Sequence, residues 1–313
     1  MQLENQRNQL IGYGICHLAI IPMRAQPTSK SEQVSQLMFG ETFQVIKESQ
    51  DQKFVFVVTD FDQYEGWIEK SRWWRATVTC YNQALADAQY MVIEDHTLLK
   101  GTTYKQTIFL GSVLPLYNQG KLVWDGQSMV FSHKVHQVSK PLGQKFILEI
   151  GFRFLGTPYL WGGKTIVGID CSGLTQQVFK LAGYKLPRDA YEQAEIGANQ
   201  LGVAETTSGD LAFFARGGRI IHVGIVVSFD HIESLDRELA NTLQGKLEGL
   251  MAKDIDTKPN LTQPYSWIIH AYDCVRVDVL DNTGIYNLDE HQYTHSNHSF
   301  KRIINKNKLD LIK

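Results

Sequence analysis

No charge of one sign dominates this chain. Its 31 Lys and Arg stand against 33 Asp and Glu, a formal net charge of -2 over 313 residues. A nucleic-acid binder advertises a basic excess or a basic stripe, and neither is present, so no nucleic-acid partner is expected. Cysteine is sparse too. Cys16, Cys80, Cys171 and Cys274 are scattered, with no CxxC pair and no dense framework, which suits a reducing compartment. Apolar runs such as IIHVGIVV fall far short of the roughly 20 residues a membrane helix needs, so no membrane insertion is expected. The opening MQLENQRNQL has no apolar core of a secretory signal, and a cytoplasmic location is the expectation for the chain as it stands. Low-complexity tracts and short-period repeats are also missing. What remains is an ordinary composition, 43% hydrophobic and 20% charged, able to fill sizeable cores in two or three domains.

The chain changes character along its length. VSQLMFGETFQVIKE and KFVFVVTDFDQYEGWIE alternate apolar and polar positions, as half-buried strands do. Pro22, Pro27, Gly40 and Gly66 punctuate them, and a small β-barrel over 1–78 is predicted. YMVIED, TIFLGSVLPLY and KLVWDG repeat the style less clearly, giving a second barrel over 79–140. From Pro141 the period becomes helical. Phe146, Ile147, Ile150 and Phe154 share a spacing that Gly156 can end, and Leu174, Val178 and Leu181 line one face before Gly183. The strand-like runs GDLAFFA, IIHVGIVVSF and SWIIHAYDCVRVDVL follow, making 141–313 an α+β domain.

Residues 156–179, GTPYLWGGKTIVGIDCSGLTQQVF, are the most informative stretch. Gly162, Gly163 and Gly168 lead to Cys171 at a helix start. Unpaired N–H groups and the positive end of the helix dipole there favour thiolate, the attacking species. The same groups can stabilise an oxyanion. A lone cysteine is more often a small buried hydrophobe. Two histidines supply the missing base: His222 in IIHVGIVV, sharing its face with the small Gly224, and His270 in WIIHA. Either one alone is more often a core histidine satisfied by a hydrogen bond. A cysteine at a helix start followed by two strand histidines has the order of a Cys–His–orienting-residue triad.

The ordered set LGTPYLWGG, DCSGL, LPRDAYEQ, GDLAFF, HVGIVV and IIHA resembles the NlpC family of bacterial cell-wall peptidases over roughly residues 145–280. The resemblance implies a papain-like fold, Cys171 as nucleophile, His222 as base and His270 as its orienting residue. Histidine strands of that family usually form a hairpin with a short turn, whereas here His222 and His270 are 48 positions apart. Ile232, Leu235, Leu239, Leu243, Leu247 and Leu250 have helical spacing within the extra stretch, about 230–265. An inserted amphipathic helix is predicted, either a cleft wall or a plain decoration. His231 is the rival for the orienting role, though it precedes that helix rather than sitting within a strand.

Segments IIPMR, QLMFGETFQVI and FDQYEGWIE resemble the bacterial SH3-like modules found beside such domains. The combination is similar to γ-D-glutamyl-L-diamino acid endopeptidases. It implies peptidoglycan-derived stem peptides as substrates, with a free N-terminal L-Ala before γ-linked D-Glu. The resemblance places Tyr159, Asp170 and Ser172 near the nucleophile, with Glu41 and Tyr64 lining the cleft from the SH3-like side. An ammonium clamp from Asp170, Glu41 and Tyr64 would match the free amine, which is expensive to bury unpaired. Such a clamp would direct the enzyme to released peptides, in recycling. Asp170 reads equally well as a helix cap.

No cofactor is called for. His291, His295 and His298 have the spacing of metal ligands on one helix but no Cys or acidic partners, and a polar tail is the better reading. His133 and His136 are weaker candidates still. Trp73 and Trp74 read as barrel core, and Cys274 as a thiol within the strand of His270. Two other functional classes stay open: a catalytically silent wall-binding protein, and an acyl transferase using the same triad. Oligomeric state is not legible.

Overall fold

The computed structural model describes residues 10–86, 88–101, 105–124, 127–200, 202–255 and 257–304. The outer ends of the expected first and third domains, with most of the opening stretch read for a signal, lie outside the described residues. The chain divides into two compact units: residues 1–140 with 160–168, and 141–159 with 169–313.

The first unit opens with seven strands: β1 (Gly12–Ile15), β2 (Ile20–Arg24), β3 (Gln33–Met38), β4 (Thr42–Glu48), β5 (Phe54–Thr59), β6 (Glu65–Glu69) and β7 (Arg75–Ala76). They form one antiparallel sheet in the order β3-β2-β6-β5-β4-β1-β7. Alternation works as the sequence suggests. Val55 and Val57 turn inward from β5 onto Ile21, Leu37, Val45 and Ile68, while Phe56 points outward, with the Lys47 ammonium 4.7 Å from its ring centroid. Trp73 packs against this core and donates its indole N–H to the Tyr13 carbonyl.

The next stretch departs from the expected all-strand pattern by opening with a helix, α1 (Val78–Ala86), which buries Cys80, Tyr81 and Ala84. Seven further strands follow: β8 (Tyr90–Val92), β9 (His96–Lys100), β10 (Lys105–Phe109), β11 (Tyr117–Asn118), β12 (Lys121–Trp124), β13 (Gln127–Val130) and β14 (Val135–Gln137). Five of them make a sheet ordered β10-β9-β13-β12-β11, and β14 pairs with β8. Ile15 of β1 and Phe39, in the turn after β3, share one core with Leu99, Ile108, Leu114, Leu122 and Phe131, with Trp74 packed on it. That shared core makes the two halves a single compact unit. Gly40 shows how closely they approach: with φ of +80°, a Cβ there would lie 2.1 Å from the Val113 carbonyl oxygen. His133 bonds Glu94, and His136 lies on β14.

The second unit begins with α2 (Gln144–Arg153), whose Ile147, Leu148 and Ile150 are buried. Two-residue strands β15 (Lys164–Thr165), which belongs to the first unit, and β16 (Gly168–Ile169), at the division, come next in the chain. The second unit continues with α3 (Cys171–Leu181) and the short α4 (Ala190–Gln193). The rest is β17 (Ala198–Gln200), β18 (Leu211–Arg216), β19 (Arg219–Val227), α5 (Phe229–Leu235), α6 (Arg237–Met251), β20 (Ser266–Tyr272), β21 (Cys274–Leu280), β22 (Gly284–Asn287), β23 (Gln292–Ser296) and β24 (His298–Arg302). The sheet runs β17-β24-β18-β19-β20-β21-β22-β23, and its neighbouring strands pair antiparallel. This is the α+β arrangement expected from a helix followed by antiparallel strands.

The predicted insertion is two helices rather than one. Asp236 ends α5 and caps α6 by accepting from the Leu239 amide at 2.9 Å. Ala240, Leu243, Leu247 and Leu250 are buried along one face of α6. Burial of each such leucine contributes roughly 1.5–3 kcal/mol. Among the described residues no helix is long and apolar enough to cross a membrane.

Gly284 is the tightest backbone approach in this unit. Its φ is +150°, and a Cβ would lie 1.8 Å from the carbonyl oxygen of His295 on the paired strand. Gly284→Ala is expected to lower stability by about 1–3 kcal/mol, read from the urea unfolding midpoint, and to loosen β23. An unchanged midpoint would show that the strand pair yields without strain.

Candidate active site

Helix α3 starts where Asp170, in extended conformation, turns its side chain back onto the Gly173 amide at 2.7 Å. This is the capping geometry that makes Asp a helix starter. Asp170 is also held from outside the helix. Arg188, 1% exposed, donates to both of its oxygens at 3.0 and 2.7 Å and to Ser172 Oγ at 2.8 Å. Gln193 completes the brace by donating to the Ser172 and Pro187 carbonyls and accepting from Thr175 Oγ1. The segment LPRDAYEQ therefore clamps the start of α3. Its Arg and Gln were visible in the sequence as part of a pattern, but their partners were not.

Cys171 follows the cap. The Val223 and Ser172 amides point at its sulfur and favour the charged form, so the thiol lies against β19 at Val223, the residue that follows His222 in the chain. Burial works the other way and prevails, with the Asp170 charge adding to it, and the thiol is pushed up to about 12. The helix start alone argues for a resting thiolate; these surroundings reverse that expectation and favour a neutral thiol.

His222 and His270 come together although they are far apart in sequence. Strands β19 and β20 pair with Gly224 opposite His270, so His222 sits diagonally across from His270 on the same face. Gly224 is what permits this: a Cβ there would lie 2.7 Å from Ile268 Cδ1 and 3.0 Å from His270 Cβ. His222 Nε2 and His270 Nδ1 are 2.9 Å apart, which leaves His222 Nδ1 as the nitrogen free to take a proton. Burial lowers the His222 pKa well below 6.5, and His270 and His295 act in the same direction. The ring is therefore held in its neutral form.

His231 takes no part in this pair. It lies within α5, and its Nδ1 is bonded by Ser208 and Ser228 hydroxyls at 2.9 and 2.8 Å. His291, His295 and His298 do not share a helix either: His291 is in a turn, while the other two lie on β23 and β24. His295 has a different place. Its ring stacks on His222 with centroids 4.0 Å apart and planes 20° from parallel. Burial, followed by the His270 and Arg216 charges, lowers its pKa to about 4. Among the described residues no group of three or more His, Cys, Asp or Glu side chains is placed to hold a metal ion.

The run SWIIHAYDCVRVDVL also folds differently from its reading as one strand. Asp273, at φ of +56°, turns it back on itself, so His270 is opposite Arg276, and Cys274 opens the return strand. That hairpin carries Asp278 to His270, and Asp278 Oδ2 is 3.1 Å from His270 Nε2.

Of the expected substrate-binding residues, Tyr159, Asp170 and Ser172 are in the second unit. Tyr159 is half-buried, and burial raises its phenol pKa, with the Cys171 and Asp170 charges adding to the effect. Glu41 and Tyr64 belong to the first unit. Glu41 accepts from the Met38 amide at 2.9 Å and from Lys164 Nζ at 3.2 Å on both oxygens. Tyr64 packs on the first core, its amide bonded to Thr59 Oγ1. An ammonium clamp needs uncommitted carboxylates, yet both acids already face a cation of this chain, Asp170 with Arg188 and Glu41 with Lys164.

Iodoacetamide labelling of Cys171 reads the balance at the sulfur. With a neutral resting thiol, the rate rises about tenfold per pH unit from pH 6 to 9, following the thiolate fraction. A rate already level at pH 6 would instead reveal a thiolate–imidazolium pair. The labelled peptide, identified by mass, separates Cys171 from Cys16, Cys80 and Cys274.

The sequence pattern of the NlpC/P60 family matches residues 156–308, and that of the bacterial dipeptidyl-peptidase Sh3 domain matches residues 23–72. The chain is 33% identical over 210 residues to a gamma-D-glutamyl-L-lysine dipeptidyl-peptidase of Bacillus subtilis (strain 168), covering 62% of this chain and 69% of that one. It is 26% identical over 214 residues to dipeptidyl-peptidase 6 of Lysinibacillus sphaericus, covering 61% and 77%. A crystal structure of an NlpC/P60 family protein from Bacillus cereus ATCC 10987 matches with a TM-score of 0.66 at 14% identity. That match spans 93% of this chain and 99% of the other, a likeness of fold. The chain belongs to the NlpC/P60 family of peptidases and carries an N-terminal SH3-like domain.

Proposed function

We propose that the protein is a cysteine endopeptidase that hydrolyses the γ-D-glutamyl–L-diamino acid bond of peptidoglycan stem peptides with a free N-terminal L-Ala. The observation that carries this reading is the pairing of His222 Nε2 with His270 Nδ1 beside a cysteine whose sulfur meets the Val223 amide. The kinship to a protein named gamma-D-glutamyl-L-lysine dipeptidyl-peptidase supports the choice of bond.

The chemistry follows from the protonation states. His222 Nδ1 takes the thiol proton as the sulfur attacks the γ-carbonyl carbon, so charge builds during attack rather than before it. Amides at the start of α3 stabilise the oxyanion. The imidazolium returns the proton to the leaving amine as the C–N bond breaks, which leaves a thioester on Cys171. Water then attacks the thioester carbonyl and gives a proton to His222. Collapse releases the carboxylate product and regenerates the thiol.

A free L-Ala amine exists only on stem peptides already detached from glycan, which suits recycling of released wall fragments. Both Asp170 oxygens are held by Arg188, so an incoming ammonium meets a carboxylate already balanced by a guanidinium, together with the Ser172 and Tyr159 hydroxyls. Selectivity for the free amine is therefore moderate, on the order of tenfold for one charge-assisted hydrogen bond.

The test is incubation with L-Ala-γ-D-Glu-diaminopimelate, free and N-acetylated, followed by mass spectrometry beside a Cys171→Ala variant. The expected result is cleavage after D-Glu, faster for the free peptide by about tenfold and lost in the variant. Equal rates on both peptides would remove the free-amine preference while keeping the peptidase. No cleavage of either peptide would overturn the substrate assignment.

A further inference from the structure

We propose that Asp278, held by Arg276, is a positioning residue that sets the proton arrangement of both histidines and so makes His222 Nδ1 a proton acceptor. The inference deepens the reading of Cys171, His222 and His270 as the reacting set and rests on it.

The argument is one of donors and acceptors. His270 and Asp278 are fully buried, so neither can exchange a partner for water. A carboxylate only accepts. Asp278 Oδ2 lies 3.1 Å from His270 Nε2, so that nitrogen carries a hydrogen. In a neutral ring the other nitrogen then has a lone pair, and His270 Nδ1 accepts. Its partner at 2.9 Å is His222 Nε2, which therefore donates. His222 Nδ1 is left with a lone pair. Each assignment forces the next.

The chain of assignments holds only while Asp278 is ionised. Burial opposes that charge, but the hydrogen bonds from His270 and Arg276 and the Arg276 charge outweigh it and lower the pKa below the usual 3.8. Arg276 donates from Nε to Oδ2 at 2.6 Å and from Nη2 to Oδ1 at 3.1 Å, and the Leu288 amide adds 3.1 Å to Oδ1. Arg276 balances the carboxylate charge, so His270 need not carry a second proton to do so. Nη2 of Arg276 also reaches Asn287 and Asp289, which fixes the guanidinium plane.

Asparagine at 278 keeps the shape and breaks the logic. Its amide would have to turn NH₂ toward one of two sets of donors. On the Oδ1 side neither Arg276 Nη2 nor the Leu288 amide can become an acceptor, whereas on the Oδ2 side, beside Arg276 Nε, His270 Nε2 can by moving its hydrogen to Nδ1. That would make His222 Nε2 the acceptor and put the hydrogen on His222 Nδ1, the wrong nitrogen for a base. In a serine triad the equivalent exchange costs ~10⁴-fold by the same fault. One more ring intervenes here, and a loss on the order of 10²-fold in kcat is expected.

The test combines two-bond ¹H–¹⁵N spectra of histidine-labelled protein with steady-state kinetics on the free peptide. Wild type is expected to show His222 and His270 both as the Nε2–H form. Asp278→Asn should shift His222 toward Nδ1–H and lower kcat about 10²-fold, with KM within twofold. Lys246→Ala, which removes an exposed ion pair to Asp289, should leave both ring signals in place. A wild-type spectrum with His222 as Nδ1–H, or with His270 protonated on both nitrogens, would overturn the proposal even if the variant does not fold. So would an Asp278→Asn variant that keeps the Nε2–H form of His222. The spectra need no turnover. Failure to cleave the peptide would sink the substrate assignment alone, and cleavage with the wrong ring forms would sink the positioning role alone.

Discussion

Everything at the site depends on the 2.9 Å hydrogen bond between His222 Nε2 and His270 Nδ1. Two imidazoles so close must divide one hydrogen between facing nitrogens, and which ring holds it decides whether the other end of His222 can act as a base. The fold is built around that contact. Adjacent strands bring the rings to one face, Gly224 opens the gap for His270, and His295 covers the flat side of His222. The helix bearing Cys171 is pinned at its first residue, so the sulfur meets β19 at Val223.

A second regularity follows from the cost of burying charge. Asp170, Asp278, Glu41 and Asp210 are almost wholly buried, and each has a cation against it: Arg188, Arg276, Lys164 and Arg302. Removing one member of such a pair strands the other, typically at a cost of about 3–5 kcal/mol. With the Asp170 and Asp278 charges balanced within the second unit, the buried Cys171 sulfur is poorly solvated. That setting raises the Cys171 thiol and lowers His222 and His295 together. In the proposed mechanism, proton transfer then accompanies attack rather than preceding it.

The family and fold class were legible because they rest on ordered motifs and on a change of period. Strand alternation gave the first sheet, helical spacing gave α2 and α3, and a small residue two places from His222 pointed to a close neighbour. What was missed shares a cause. The turn at Asp273 has no Gly or Pro to announce it, so residues 266–280 read as one strand, and with that reading Asp278 lay far from His270. The spacing of His291, His295 and His298 fits a helix, but positive φ at His291 and Asn297 breaks the segment into strands. Arg188 and Lys164 were invisible as partners because ion pairs across the fold leave no mark on local spacing. Helix α1 escaped notice between stretches of strand-like residues, where tertiary burial of Tyr81 and Ala84 decides the outcome.

The most direct test is the kcat/KM of His222→Ala for the free stem peptide at pH 7, measured beside wild type. If His222 takes the proton from Cys171, the variant should lose roughly 10²–10⁴-fold, and part of the loss should return with added imidazole. A variant as active as wild type would contradict the account, because the thiol would then need no base from this chain.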